Sequence, residues 1–198
     1  MAGPVASVLL PAALTGADAA AFDRWLNEVF APHDGGWFLR APAAIGAPDS
    51  ATDAGRFLID RAPWPDYEGF EEDFPGFAES IGYRPGEQIE VCAMVNRPVD
   101  HLVLGRVCLA LARDHAALVD FGGALDAVGQ PQGIDYLTED PGKIERTIAG
   151  LDAAVGGLEG RVWSMRYETA RGTPWITHVG DAEFLASWLS HPRFRMIK

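Results

Sequence analysis

The stretch RDHAALVDFGGAL, Arg113 to Leu125, sets Asp114, His115 and Asp120 around a short apolar run that closes on two glycines. An acid near an imidazole supplies the parts of a general acid–base pair. A nucleophilic or hydrolytic centre also needs a Ser, a Cys or a second acid at a defined spacing, and none stands beside them. The same residues read more simply as the last turn of a helix, where a His meets the terminal carbonyls, followed by a strand in which Asp120 alternates with Val119 and Phe121. That second reading is the one adopted here.

Asp100 and His101 form a second acid–imidazole neighbour pair, in the first turn of the preceding helix. Adjacent helical residues point about 100° apart, so Asp100 does not orient His101, and an acid there is accounted for by the helix dipole. The five histidines, at 33, 101, 115, 178 and 191, never fall in an HxH or HxxxH arrangement, so no metal site is expected. A site gathered from distant residues, His101, His115, His178 and Asp120, is the alternative for a small enzyme of unknown reaction. His178, Asp181 and His191 could likewise meet only through the fold. The glycine pairs at 35–36, 122–123 and 156–157 make neither GxGxxG nor a phosphate-binding loop with its Lys and Ser or Thr, so they are read as turns and no cofactor is expected.

The most unusual composition is in WPDYEGFEEDFPGFAE, Trp64 to Glu79. Asp66, Glu68, Glu71, Glu72, Asp73 and Glu79 occur there without a Lys or Arg, interleaved with Trp64, Tyr67, Phe70, Phe74 and Phe77. In one reading Phe70, Phe74 and Phe77, at helical spacing, pack on a core while the acids face water. In the other, the acids steer a basic partner and exposed aromatics such as Trp64 and Tyr67 anchor it. The two readings are compatible, the Phe residues following the first and the acids the second. Asp66, Glu68, Glu71, Glu72, Asp73, Tyr67 and Trp64 are the candidate partner-binding residues.

The elements that must hold these residues follow from periodicity. Val5–Leu10 reads as a strand, and Phe22, Leu26, Val29 and Phe30 fall at helical spacing after a possible cap at Thr15. WFLR from Trp37 and RFLIDR at Arg56–Arg61 read as strands, Pro63–Gly86 as irregular, and Gln88–Val95 as a buried strand. Asn96 is the expected cap of the next helix, with Pro98 in its first turn and Val99, Leu102, Val103, Val107, Ala110 and Leu111 as its buried stripe. ALVDFGG completes a strand–helix–strand unit over Gln88–Gly123, whose helix is long enough to cross back over a sheet. A loop spans Gly122 to Gly142. Asp140–Pro141 then opens a helix with Ile144, Ile148, Leu151 and Val155 on one face. Arg161–Thr169 and Thr173–Val179 read as a hairpin, Asp181 caps a last helix, and FRMIK alternates like an edge strand. The strand–helix–strand pattern at Val5–Arg40 and again at Gln88–Gly123 hints at two similar halves. The expected fold is one α+β domain over residues 1–198, with a mixed, largely antiparallel sheet flanked by about four helices.

A chain of 198 residues can bury one core, and its net charge of −12 opposes direct binding to nucleic acid, which needs clustered Lys and Arg. No stretch approaches the roughly 18 apolar residues of a membrane span, and the opening residues lack a basic, apolar leader, so a cytoplasmic protein is expected. Cys92 and Cys108 both lie in apolar runs and read as buried free thiols.

NRPVDHLVLGRVCLALARDHAALVDFGGAL, together with the ending GDAEFLASWLSHPRFRMIK, resembles an uncharacterised family of high-GC bacteria, a domain of unknown function. That family supplies no catalytic residues to carry over. The pattern of a strand, a DH-bearing helix and an LVDFGG strand also resembles bacterial immunity proteins, which neutralise toxins. That resemblance, with the acidity, implies a non-enzymatic binding protein that occludes the active site of a cognate toxin, such as a basic nuclease, through the acidic stretch. The expected partner is a protein, with no membrane and no direct nucleic-acid contact.

Overall fold

The computed structural model describes residues 3–65, 68–126, 138, 140–169 and 172–197. Eight strands form one sheet in the order β2-β3-β4-β5-β1-β6-β8-β7, and every neighbouring pair is antiparallel. The strands are β1 (Val5–Leu10), β2 (Phe30–His33), β3 (Gly36–Leu39), β4 (Phe57–Pro63), β5 (Glu87–Ala93), β6 (Leu118–Asp120), β7 (Val162–Glu168) and β8 (Pro174–Gly180). The helices are α1 (Gly16–Val29), α2 (Phe70–Asp73), α3 (Phe77–Ile81), α4 (Pro98–Asp114), α5 (Pro141–Val155) and α6 (Ala182–Leu189). The fold is α+β in a single domain.

The expected mixed sheet is antiparallel throughout because of where β1 sits. Strands β5 and β6 both run antiparallel to β1 and therefore parallel to each other, with β1 between them. The α4 crossover spans two strand spacings, about 10 Å, which is the width of the helix it must accommodate. The run β1-α1-β4-β5-α4-β6, with spatial order β4-β5-β1-β6, is thus a split β-α-β arrangement, extended by β2–β3 at one edge and β8–β7 at the other.

Alternation divides each strand between two faces. Val8, Ile59, Ile89, Val91, Val119 and Phe121 face the long helices and are buried with Phe22, Leu26, Val103, Val107, Phe184 and Trp188. Asp140 caps α5 by accepting from the Gly142 and Lys143 N–H groups, and Asp181 caps α6 by accepting from Phe184 N–H at 2.7 Å. Both caps are at the positions the sequence predicts. Three other expectations need correction. The α1 helix stops at Val29, because Phe30 turns extended to pair with Leu39 and places its ring against Phe57. The cap of α4 is Arg97 rather than Asn96, since the Asp100 carboxylate reaches back to the Arg97 N–H at 2.8 Å. Of the residues FRMIK, the described 194–197 form no strand. Phe194 instead lies so close to Gly105 of α4 that a Cβ there would stand 2.8 Å from the ring, and Ile197 accepts a single hydrogen bond from the Val5 N–H.

Among the described residues, the opposite face of the sheet carries no long helix. The connection from β4 to β5 folds back over it as a lobe containing α2 and α3, and Trp64, Phe70, Phe77 and Ile81 bury themselves with Leu9, Leu118, Met165 and Val179. Tyr83 fixes the lobe to the sheet: its hydroxyl donates to the Leu9 carbonyl at 2.7 Å and accepts from the Leu118 N–H at 3.2 Å. Burial pushes the phenol up to about 12. Tyr83→Phe leaves both backbone groups without that partner and is expected to lower the unfolding free energy by about 1–2 kcal/mol, read from urea denaturation. Unchanged stability would mean that the bridge does not hold the lobe.

Candidate functional site

The lobe separates its apolar and acidic residues sharply. Trp64, Phe70 and Phe77 are 8%, 8% and 1% exposed, and their rings interlock, with Phe70 4.7 Å from Trp64 and 5.2 Å from Phe77. Phe74 continues the stack at 5.0 Å from Phe70 and meets Tyr167 of β7 at 5.3 Å. Three left-handed glycines, Gly69, Gly76 and Gly82, bound the two short helices, so the chain reverses direction while its aromatic side stays on the sheet. Glu68, Glu71, Glu72, Asp73 and Glu79 are all exposed. Glu71 pairs with Arg84 at 2.8 Å in an exposed ion pair. Trp64, a candidate anchor, is under the lobe rather than on it, because its indole fills the gap between Phe70 and Phe77. Asp66 and Tyr67 lie outside the described residues.

The acidic character continues onto the sheet. Asp60 of β4 and Glu90 of β5 stand directly opposite each other on the face that the lobe shares, both exposed and neither in an ion pair among the described residues. Like charges directly opposite destabilise a sheet. Ser7 and then Asp120 follow Glu90 along the same cross-strand row. Asp120 accepts from the Gly122 N–H at 2.9 Å and from the Thr177 hydroxyl at 3.2 Å, and burial holds its carboxyl above the usual range.

His101, His115, His178 and Asp120 are held in separate places. Fourteen residues along α4 put His101 and His115 about 21 Å apart. His115 occupies the C-terminal cap of that helix, as expected. Asp120 points to the lobe side of the sheet and His178 to the helix side. His101 accepts from the Met196 N–H at Nδ1, 3.0 Å, so its proton sits on Nε2 and is donated to Asn96 Oδ1 at 2.8 Å. Both ring nitrogens are engaged in structure, and burial holds the imidazole below its ordinary pKa. Asp100, assigned above to the helix dipole alone, is fully buried and accepts from the Gly55 N–H at 2.7 Å as well as from Arg97.

His178 has two neighbours that the sequence reading did not single out. Ser164 is its cross-strand partner on β7, and Asp152 projects from α5. Ser164 donates to Asp152 Oδ1 at 2.5 Å, and His178 Nε2 lies 3.7 Å from the same oxygen. Ser, His and Asp are thus together, but in the wrong order for nucleophilic catalysis. His178 Nδ1 accepts from the buried Leu125 N–H at 2.8 Å, which leaves the proton on Nε2 and no free lone pair for the serine. The hairpin register alone would have placed Ser164 opposite His178; nothing in the sequence marks Asp152. Cys108 is buried and Cys92 half-buried, both free.

No group of three or more His, Cys, Asp or Glu among the described residues is arranged to hold a metal ion, and no helix among them is long and apolar enough to cross a membrane. The model of a family of unknown function, DUF6368, matches residues 2–198, and the chain belongs to that family. No curated protein and no solved structure matches the chain.

Proposed function

For this member of a family of unknown function, we propose a non-enzymatic binding role: an immunity protein that occludes the active site of a cognate basic toxin. The observation that carries the reading is the division of the lobe, in which Trp64, Phe70 and Phe77 are spent on anchoring while Glu68, Glu71, Glu72 and Asp73 stay exposed. A rigidly mounted acidic surface concentrates negative potential where a cationic cleft can meet it, imitating a polyanion. The opposed pair Asp60 and Glu90 extends that potential and lowers stability in the free protein, a cost that a basic partner would offset. Asp66 and Tyr67 belong to the same acidic segment of the sequence. The separation of His101, His115, His178 and Asp120 favours this reading over a small enzyme built from those four.

Charge steering makes the interaction sensitive to salt and to neutralisation. A variant carrying Glu71→Gln, Glu72→Gln and Asp73→Asn should therefore lose a basic partner that the unmodified protein captures from its own cells at low salt. Affinity for the isolated partner is expected to fall about tenfold or more with the variant, and again on raising the salt. Equal capture by both proteins would remove the lobe from the interface.

A further inference from the structure

A cleft of about 550 Å³ opens on the helix side of the molecule, away from the lobe, between the start of α4, the loop after β6 and the C-terminal segment. Its volume is in the range of small-molecule sites. The segment that closes it is fixed at several points. Met196 donates to His101, the Arg195 carbonyl accepts from the Trp188 indole N–H at 3.1 Å, and Arg195 Nη2 meets Asp126 Oδ1 at 2.7 Å. Gly123 comes so near the segment that a Cβ there would be 3.0 Å from Ile197. Behind the cleft, His178 holds the loop through the Leu125 N–H and by donating its own N–H to the Gly123 carbonyl. The cleft is therefore built before any ligand arrives.

Its lining carries both acceptors and donors: the Asp126 carboxylate faces the cleft and takes one Arg195 bond, and the uncommitted donors stand beside it on Asn96 and Arg195. The carbonyls of Gly123, Ala124, Arg195 and Ile197 each already accept a hydrogen bond. His101 donates from Nε2, so Asn96 must present its oxygen to the ring, and its amide nitrogen has no acceptor among the described residues. The guanidinium of Arg195 spends one N–H on Asp126 and is 55% exposed, and its other N–H groups have no acceptor among the described residues. Donors are left over, and the apolar lining comes from Trp175, Phe194 and Met196.

We infer that this cleft binds a small carboxylate with a flat apolar body, the carboxylate taken by Arg195 and the Asn96 amide and the body lying between Trp175 and Phe194. The site is distinct from the lobe and does not depend on the docking role. Calorimetry on the full chain with 3-phenylpropionate and with its uncharged amide tests it. The acid is expected to bind at least about tenfold more tightly than the amide, since the charge-assisted bonds require the carboxylate. Asn96→Asp keeps an oxygen for His101 and turns the donor into a repelling acceptor, so it should lose the acid by about tenfold or more while its thermal midpoint stays that of the unmodified protein. Arg195→Gln should bring the acid down to the level of the amide. Equal binding of acid and amide, no binding of either up to about 10 mM, or undiminished binding to a folded Asn96→Asp variant would overturn the assignment.

Discussion

Replacing Asp100 with alanine is expected to lower the unfolding free energy by about 3–5 kcal/mol, the largest effect of any single substitution considered for this protein. The carboxylate is fully buried where two pieces of chain meet: the start of α4, with its Arg97 cap, and the loop that brings in Gly55. Burial raises the acid's pKa, but the Arg97 guanidinium and the N–H groups of Gly55 and Arg97 outweigh it and hold the group below the usual carboxylate range. Arg97 is half exposed and can return to water once its partner is gone. The two part-buried backbone donors lose their acceptor, and a buried donor left unmade costs about 1–3 kcal/mol. Gly55 is also held in place by close approach, because a Cβ there would fall 2.6 Å from Val95. Asp100→Asn, which keeps one acceptor, should lose less. Urea denaturation at neutral pH measures both, and an alanine variant within about 1 kcal/mol of the unmodified protein would refute this account of the α4 start.

The second large effect is a pH dependence. Burial pushes His178 down to about 4, against the attraction of Asp152. An unfolded histidine titrates near 6.5, so between about 6.5 and 4 the unfolded chain binds the extra proton and the folded chain does not. Stability is therefore complete above pH 6.5 and declines as the pH falls through that window, by about 3 kcal/mol in total from this group. The groups facing the ring are Asp152 and Ser164 on its Nε2 side and the Leu125 N–H at Nδ1. His101, also held low, adds a slope of the same sign. His178→Gln keeps an acceptor for the Leu125 N–H and cannot take up a proton. Its stability should change much less between pH 7 and pH 4.5 than that of the unmodified protein. Parallel pH profiles for the two would show that His178 titrates normally.

The histidine case also shows what a sequence can and cannot carry. Asp140, Asp181 and the α5 stripe of Ile144, Ile148, Leu151 and Val155 were legible because caps and helical periodicity are local properties. The burial of Phe70 and Phe77 was legible from their size, not from a common helical period, since they stand on two separate short helices. The antiparallel sheet was not, since nothing in β5, α4 or β6 records that β1 slips between the two strands. Nor was the fate of the last residues. FRMIK alternates as a strand would, yet its backbone groups go to His101, Trp188 and Val5, partners that only the closed fold supplies. Asp100 looked like an ordinary first-turn acid because its partner Gly55 is 45 residues away. Of the candidate partner-binding residues, the described acids Glu68, Glu71, Glu72 and Asp73 are exposed as the composition implies. Trp64 is buried, because its indole packs against the rings of Phe70 and Phe77 before it faces water.

The proposed role is tested most directly by protection. Cells are made to produce the basic protein captured through the lobe, alone, with the unmodified chain, or with the variant carrying Glu71→Gln, Glu72→Gln and Asp73→Asn, and survival is counted. An immunity protein acting through its acidic lobe predicts killing by the captured protein alone, survival with the unmodified chain, and loss of protection with a variant that remains folded. Killing that the unmodified chain does not prevent would contradict the immunity role, and equal protection by both forms would contradict the part assigned to the lobe.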